Sequence, residues 1–140
     1  MITRFNPIDG LVTVPVKLWG PSGQASILVA LDTGATRTLV SWDLIAFLGY
    51  DPASAPVRLR ITTANSIEFA HQIAIEKIEA LSTEVENLPI VCHTLPASAS
   101  VDGLLGLDFL RGQRLTLDFR EGTIALESAV ELRWRAPAVF

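Results

Sequence analysis

The sequence predicts a small all-β barrel or sandwich with one or two short helices. Three observations carry that prediction. Apolar residues recur two apart in several short stretches, which is strand spacing. Turn-forming residues punctuate those stretches. The 140 residues are 49% hydrophobic and 19% charged, enough for one domain with a real core and far from the profile of a disordered chain.

In chain order, Val12, Val14, Val16 and Leu18 alternate as a strand. Pro15 lies among them and has no N–H to donate, which predicts an edge or a local irregularity. Gly20-Pro21-Ser22-Gly23 is a turn. Ile27 to Leu31 is a strand apolar on both faces, and it runs into Asp32-Thr33-Gly34-Ala35. Ser41 is placed to N-cap a short helix, with Asp43 in its first turn and Gly49 as its stop. Val57, Leu59 and Ile61 alternate with Arg58 and Arg60; Ile67 and Phe69 resume the pattern, giving a hairpin with its tip near Asn65. Ile73, Ile75 and Ile78 continue extended, and Val85 to Cys92 is a further strand. Pro96 to Ser100 is loop, and Leu107 to Arg111 makes one or two helical turns closed by Gly112. A last hairpin joins Leu115–Phe119 to Thr123–Leu126 through Glu121-Gly122. The whole chain, 1–140, reads as one domain with its core at about 11–127 and a tail over 128–140. Val130 to Trp134 in that tail has strand character.

Bulk chemistry removes several function classes. Eleven basic residues against fifteen acidic ones give a net charge of −4, so no nucleic-acid partner is expected. A single cysteine, Cys92, excludes an intrachain disulfide framework and is compatible with a reducing compartment. Met1 to Gly10 lacks the basic start and apolar run of a signal peptide. No apolar run approaches the roughly 18–20 residues that span a bilayer. The expectation is a soluble, cytoplasmic protein without a membrane segment.

Asp32 is where chemistry concentrates. Hydrolysing a peptide without a metal or a covalent intermediate needs an activated water, and two carboxylates sharing one proton supply it. One acts as base while the protonated one polarises the carbonyl. Like charges about 3 Å apart do not both ionise, so such a pair titrates as a unit. Asp32 emerges from the apolar strand Ile27-Leu28-Val29-Ala30-Leu31, and Gly34 lets backbone and substrate come close. Taken alone, Asp-Thr-Gly reads first as an ordinary polar turn after a strand.

Its surroundings decide between these readings. The stretch Leu28-Val29-Ala30-Leu31-Asp32-Thr33-Gly34-Ala35-Thr36 resembles the active-site signature of retropepsin-like aspartic peptidases. Gly103-Leu104-Leu105-Gly106-Leu107-Asp108-Phe109-Leu110 is similar to the family's second element, two apolar residues before a glycine and then a short helix. Ile61 to Phe69 is similar to the flap between them. The resemblance covers roughly Val12 to Leu126. It implies a closed, barrel-like lobe with a flap hairpin, working as an aspartic endopeptidase on an extended polypeptide bound as an added strand. It also implies apolar side chains around the cut and no metal or organic cofactor.

By the same resemblance Asp32 is the catalytic aspartate, and Thr33, Gly34 and Ala35 form the active-site loop. Thr33 reaches across a two-fold axis to its twin's loop, and Gly34 offers backbone to the substrate. Leu104, Leu105 and Gly106 support the loop, and Ala64, Asn65 and Ser66 form the flap tip. Two positions depart from the pattern. The flap tip lacks glycine, and Thr36 and Leu107 stand where retroviral members pair an acid with an arginine. Arg37 and Asp108 are expected to form a charge pair of the opposite sense.

No other aspartate is followed by Thr-Gly or Ser-Gly, so one chain carries half a dyad. A C2 homodimer places Asp32 beside its own copy, because an isologous interface brings equivalent residues to the axis. Val130 to Trp134 and Ala136 to Phe140 are candidates for dimer strands, or else a frayed tail. The alternative function is a catalytically weak or inactive module that keeps the fold for peptide binding or dimerisation; a third is a protease confined to itself or one dedicated partner. Other residues are set aside. Cys92 and His93 are adjacent and face opposite ways on a strand. His71, His93 and Cys92 lack metal-ligand spacing. Gly103 to Gly112 lacks a phosphate-loop order, and Asp102-Gly103 reads as a turn. Trp19, Trp42 and Trp134 are expected in core or interface, and Asp9, Asp51 and Asp118 in solvent.

Overall fold

The alternating stretches fold as strands in the computed structural model, which describes residues 2–51, 57–62, 67–96 and 98–127. Among these the order is β1 (Ile2–Arg4), β2 (Thr13–Gly20), β3 (Gly23–Leu31), β4 (Leu39–Ser41), α1 (Trp42–Phe47), β5 (Val57–Thr62) and β6 (Ile67–Ala80). Then come β7 (Thr83–His93), β8 (Gly103–Leu105), α2 (Leu107–Leu110), β9 (Arg114–Asp118) and β10 (Thr123–Glu127). The flap-tip residues Ala64, Asn65 and Ser66, and the tail segments Val130–Trp134 and Ala136–Phe140, lie outside the described residues. No helix among the described residues is long and apolar enough to cross a membrane.

The main sheet runs β2-β3-β8-β4-β7-β6-β5, and β2 also pairs with β6. That second pairing closes six strands into a barrel, as expected, and leaves β5 hanging outside on β6. Each barrel strand turns its alternate apolar residues inward. Val14, Val16 and Leu18 of β2 meet Val29 of β3, Ile75 and Ile78 of β6, Ile90 and Cys92 of β7 and Leu105 of β8 in one buried cluster. A smaller sheet, β1-β10-β9, adds Ile124 to this core.

Several expectations change in detail. Pro15 does not put β2 at an edge along its whole length: β6 pairs only with Val16 to Trp19. Pro15 itself has β3 alone as a paired neighbour, opposite Leu28, so its missing N–H costs no second ladder. Asp102-Gly103 is not a simple turn, because Gly103 begins β8. The strands β1, β4 and β8 have three residues each, too short to show a period. Ser41 does stand at the N-cap of α1, but its side chain makes no cap bond. Asp118 is exposed yet engaged: its Oδ1 accepts the N–H groups of Arg120 and Glu121, each at 2.9 Å, and so builds the β9–β10 turn.

The long strand β6 joins the β5–β6 hairpin to the barrel. Its first part, Ile67 to Gln72, pairs with β5 as the flap arm; its last, Lys77 to Ala80, pairs with β2 in the barrel. Between them the backbone N–H of Glu76 donates to the Tyr50 hydroxyl at 2.9 Å, and that hydroxyl donates to the Trp19 carbonyl at 2.9 Å. Burial raises the Tyr50 pKa above its ordinary value, so the phenol keeps its proton. Trp19 is half-buried, and the Lys77 ammonium stands over its ring at 4.2 Å from the centroid.

Candidate active site

Asp32 follows directly on β3, and its position is set by a strand that comes much later in the chain. β8 inserts between β3 and β4, parallel to the first and antiparallel to the second. The loop from Asp32 to Thr38 must therefore arch over the end of β8. The arch is fastened through its backbone. Asp32 N–H donates to the Leu105 carbonyl at 3.0 Å, and Leu107 N–H donates to the Ala35 carbonyl at 2.9 Å. Asp108 N–H donates to the Thr36 carbonyl at 3.2 Å, Val91 N–H to the Thr38 carbonyl at 2.9 Å. Ala35 N–H closes a turn onto the Asp32 carbonyl at 3.1 Å.

Gly106 must be glycine here. A Cβ on it would stand 2.7 Å from the Arg37 carbonyl carbon and 2.8 Å from the carbonyl oxygens of Ala35 and Arg37. Gly103 is as constrained: a Cβ there would collide with the Leu39 carbonyl oxygen. Leu105 is fully buried and Leu104 half-buried. The support expected from Leu104, Leu105 and Gly106 thus takes a specific form. The two leucines lay down β8, and Gly106 lets the arch sit on top of it.

A polar knot locks the far end of the arch. Thr38 is buried; its hydroxyl donates to Asp108 Oδ1 at 2.7 Å and accepts Gly106 N–H at 3.1 Å. The Asp108 carboxylate also accepts Thr38 N–H, at 3.0 and 2.9 Å, and Phe109 N–H at 2.8 Å. Charge-assisted bonds of this kind are the strong ones. The knot corrects the expected Arg37–Asp108 charge pair. Asp108 is committed to Thr38 and Phe109, while Arg37 Nη1 donates to Gln72 Oε1 at 3.0 Å. Thr38 and Gln72 were not readable as site residues, because their partners lie 70 and 35 positions away.

The Asp32 carboxylate itself is half-buried. Its Oδ1 accepts Gly34 N–H at 2.9 Å, and its Oδ2 accepts no hydrogen bond among the described residues. Gly34 thus acts on the aspartate in this chain. Thr33 is exposed, and its hydroxyl has no hydrogen-bond partner among the described residues. Beside the arch lies a groove of about 420 Å³ lined by Thr36, Arg37, Leu39, Leu59, Arg60 and Val91, floored by the arch and β7 and walled by the flap strand β5. No group of three or more His, Cys, Asp or Glu that could hold a metal occurs among the described residues. Cys92 is fully buried opposite His71 and beside Val40, and burial pushes its thiol up to about 11, far from a nucleophile's range. His71 packs edge-on against Trp42, with ring centroids 5.4 Å apart.

Comparison with known proteins agrees with this geometry. The profile of the gag-polyprotein putative aspartyl protease family matches residues 22–112, well over half of the chain and all of the arch, β5–β7 and β8. Among solved structures, a retropepsin-like aspartic protease from Rickettsia conorii superposes with a TM-score of 0.64, covering 91% of this chain and 91% of that one. At 20% sequence identity that likeness is one of fold. No curated protein matches the sequence.

Proposed function

Because this chain belongs to the gag-polyprotein putative aspartyl protease family, we propose that it is an aspartic endopeptidase whose active site is assembled from two copies of Asp32 in a C2 homodimer. The observation that carries the proposal is the state of the Asp32 carboxylate. Its backbone is pinned to β8, one oxygen is held by Gly34 N–H, and the other has no partner among the described residues. A group fixed in this way is suited to pair with a second carboxylate. The exposed Thr33 hydroxyl fits the same reading, since it is available to a twin loop across the axis.

In the dimer the two Asp32 carboxylates share one proton. The ionised one takes a proton from a water as that water attacks the scissile carbonyl carbon, and the protonated one donates its proton to the carbonyl oxygen, giving a gem-diol. The first carboxyl then gives its proton to the amide nitrogen as the C–N bond breaks, while the second takes a proton back from the diol. Holding both carboxylates on fastened arches keeps them oriented, so little reorganisation is needed when charge moves. The substrate lies extended between arch and flap, adding its backbone bonds as a strand would.

The test compares wild type with Asp32→Asn on a peptide library across a protein concentration series. Wild-type cleavage should exceed that of Asp32→Asn by at least about a thousandfold, and activity per chain should fall on dilution below the dimer dissociation constant. Equal cleavage by both proteins removes the peptidase assignment. Asp32-dependent cleavage that does not follow dimer concentration removes the shared site. Peptide binding with no cleavage leaves the fold serving as a binding module.

A further inference from the structure

The groove beside the arch carries more information than its apolar floor suggests. Leu39, Leu59 and Val91 present hydrocarbon, but Arg37 and Arg60 line it too, and no carboxylate is among its lining residues that the structure describes. Arg37 is exposed and oriented by Gln72, whose amide oxygen takes one guanidinium N–H at 3.0 Å. The choice of partner is informative. An aspartate or glutamate in place of Gln72 would fix the guanidinium and cancel its charge. A glutamine fixes it and leaves the charge in place. Asp108, the acid that follows the second glycine, is spent on Thr38 and Phe109. Among the described residues no carboxylate comes within ion-pair distance of Arg37.

On the reading that Asp32 is catalytic, we infer that Arg37 is a specificity-determining residue that selects a glutamate side chain in the substrate, beside the scissile bond. A guanidinium has five N–H donors, so one bond to Gln72 leaves a fork that matches a carboxylate. A glutamate carries one methylene more than aspartate to lay against the apolar lining while its carboxylate meets Arg37, which favours the longer acid. The net charge of −4 opposes an acidic substrate at long range, but that field is screened beyond about 8–10 Å at ordinary salt, whereas the contact with Arg37 is not. Selection therefore rests on the local pair. A two-fold axis repeats the groove, so glutamate is favoured at equivalent positions on both sides of the cut.

Peptides identical except for Glu, Gln, Asp, Leu or Lys at each of three positions either side of the cut provide the test. Cleavage is measured with wild type and binding with Asp32→Asn, each alone and with Arg37→Ala or Arg37→Glu. At one symmetric position wild type should prefer Glu over its isostere Gln by about tenfold or more in kcat/KM. Arg37→Ala should abolish that preference, and Arg37→Glu should turn it toward Lys. Because Arg37 is exposed, each Arg37 variant should melt with its own parent, wild type or Asp32→Asn. Asp32-dependent cleavage without a Glu preference, or with one that survives Arg37→Ala, overturns the inference and leaves the peptidase standing. A preference seen in binding but with no cleavage upholds the selective groove and removes the catalytic assignment. Neither binding nor cleavage of any peptide removes both.

Discussion

The arch and the flap face each other across the groove and are built on opposite terms. The arch spans few residues, yet it is tied down by backbone bonds to β8, α2 and β7, by Gly106 beneath it and by the Thr38–Asp108 knot. Among the described residues the flap strand β5 pairs with β6 alone. On the adjoining arm Ile67 and Phe69 are 57% and 51% exposed. This fold concentrates its stability under the arch. Under the proposed function the carboxylate has to be held to fractions of an ångström, while the cover has to admit a peptide and let it go. Local unfolding free energies should follow the same divide, high under the arch and low in the flap arm.

The largest effect is expected of Gly106→Ala. The added methyl meets backbone atoms at 2.7–2.8 Å, and backbone does not give way as a flexible side chain does. Overpacking typically costs 1–3 kcal/mol, and here about 3 kcal/mol or more is expected, read as a fall in the urea midpoint with an unchanged slope. Gly10→Ala, where nothing lies within 4 Å, is the control and should leave the midpoint near wild type. A Gly106→Ala protein as stable as wild type would mean that the arch has room to rise.

The knot comes next. Asp108→Asn weakens three charge-assisted bonds, and Thr38→Val leaves Gly106 N–H and the Asp108 carboxylate each short of a partner. Each change should cost about 2 kcal/mol. A double-mutant cycle should show coupling of about 1 kcal/mol or more, because both remove the same network. Strict additivity would mean that the two residues act separately.

How much of this was visible beforehand follows from the range of each interaction. Alternation in β2 and along β6, and the Gly-bearing hairpin at Glu121-Gly122, are local signals, and the structure keeps them. Asp32, Leu104, Leu105 and Gly106 stood out through their resemblance to a known pattern. The short strands β4 and β8 were not visible, since their extension is fixed by neighbours from distant parts of the chain. Nor was the turn at Leu81-Ser82, where two residues with side chains take positive φ, 53° and 62°, without a glycine to announce it. The knot and the Arg37–Gln72 contact were hidden for the same reason. Sequence places side chains on faces; only the closed barrel decides which faces meet.

Cys92 offers a smaller test at the joint between arch and flap, since β7 carries it between Val40 and His71. Its thiol is raised from 9.0 to about 11 by burial, so the folded state holds that proton more tightly than the unfolded chain does. The contribution is therefore complete below pH 9 and is lost as pH climbs from 9 to about 11. By about pH 10 wild type should have lost roughly 1.4 kcal/mol that Cys92→Ala does not lose, one pH unit above the unfolded value. The measurement is the difference between the two stability–pH curves. Parallel curves would show that Cys92 is reached by water, and with it the inner side of the joint.

The smallest effect expected is in the flap arm. Ile67→Thr keeps a β-branched side chain at the first residue of β6, where the strand pairs with Thr62 and more than half of the isoleucine is already in water. Little apolar area leaves water when that strand folds, and neither its ladder nor a buried contact is removed. The stability change should stay within about 0.5 kcal/mol, roughly a sixth of the effect of one methyl under the arch. Amide exchange sets the same contrast without mutation: β5 amides should exchange well before those of β3 and β8. If Ile67→Thr instead costs as much as Gly106→Ala, the flap arm is buried against something in solution, and the division between a fixed floor and a yielding cover fails.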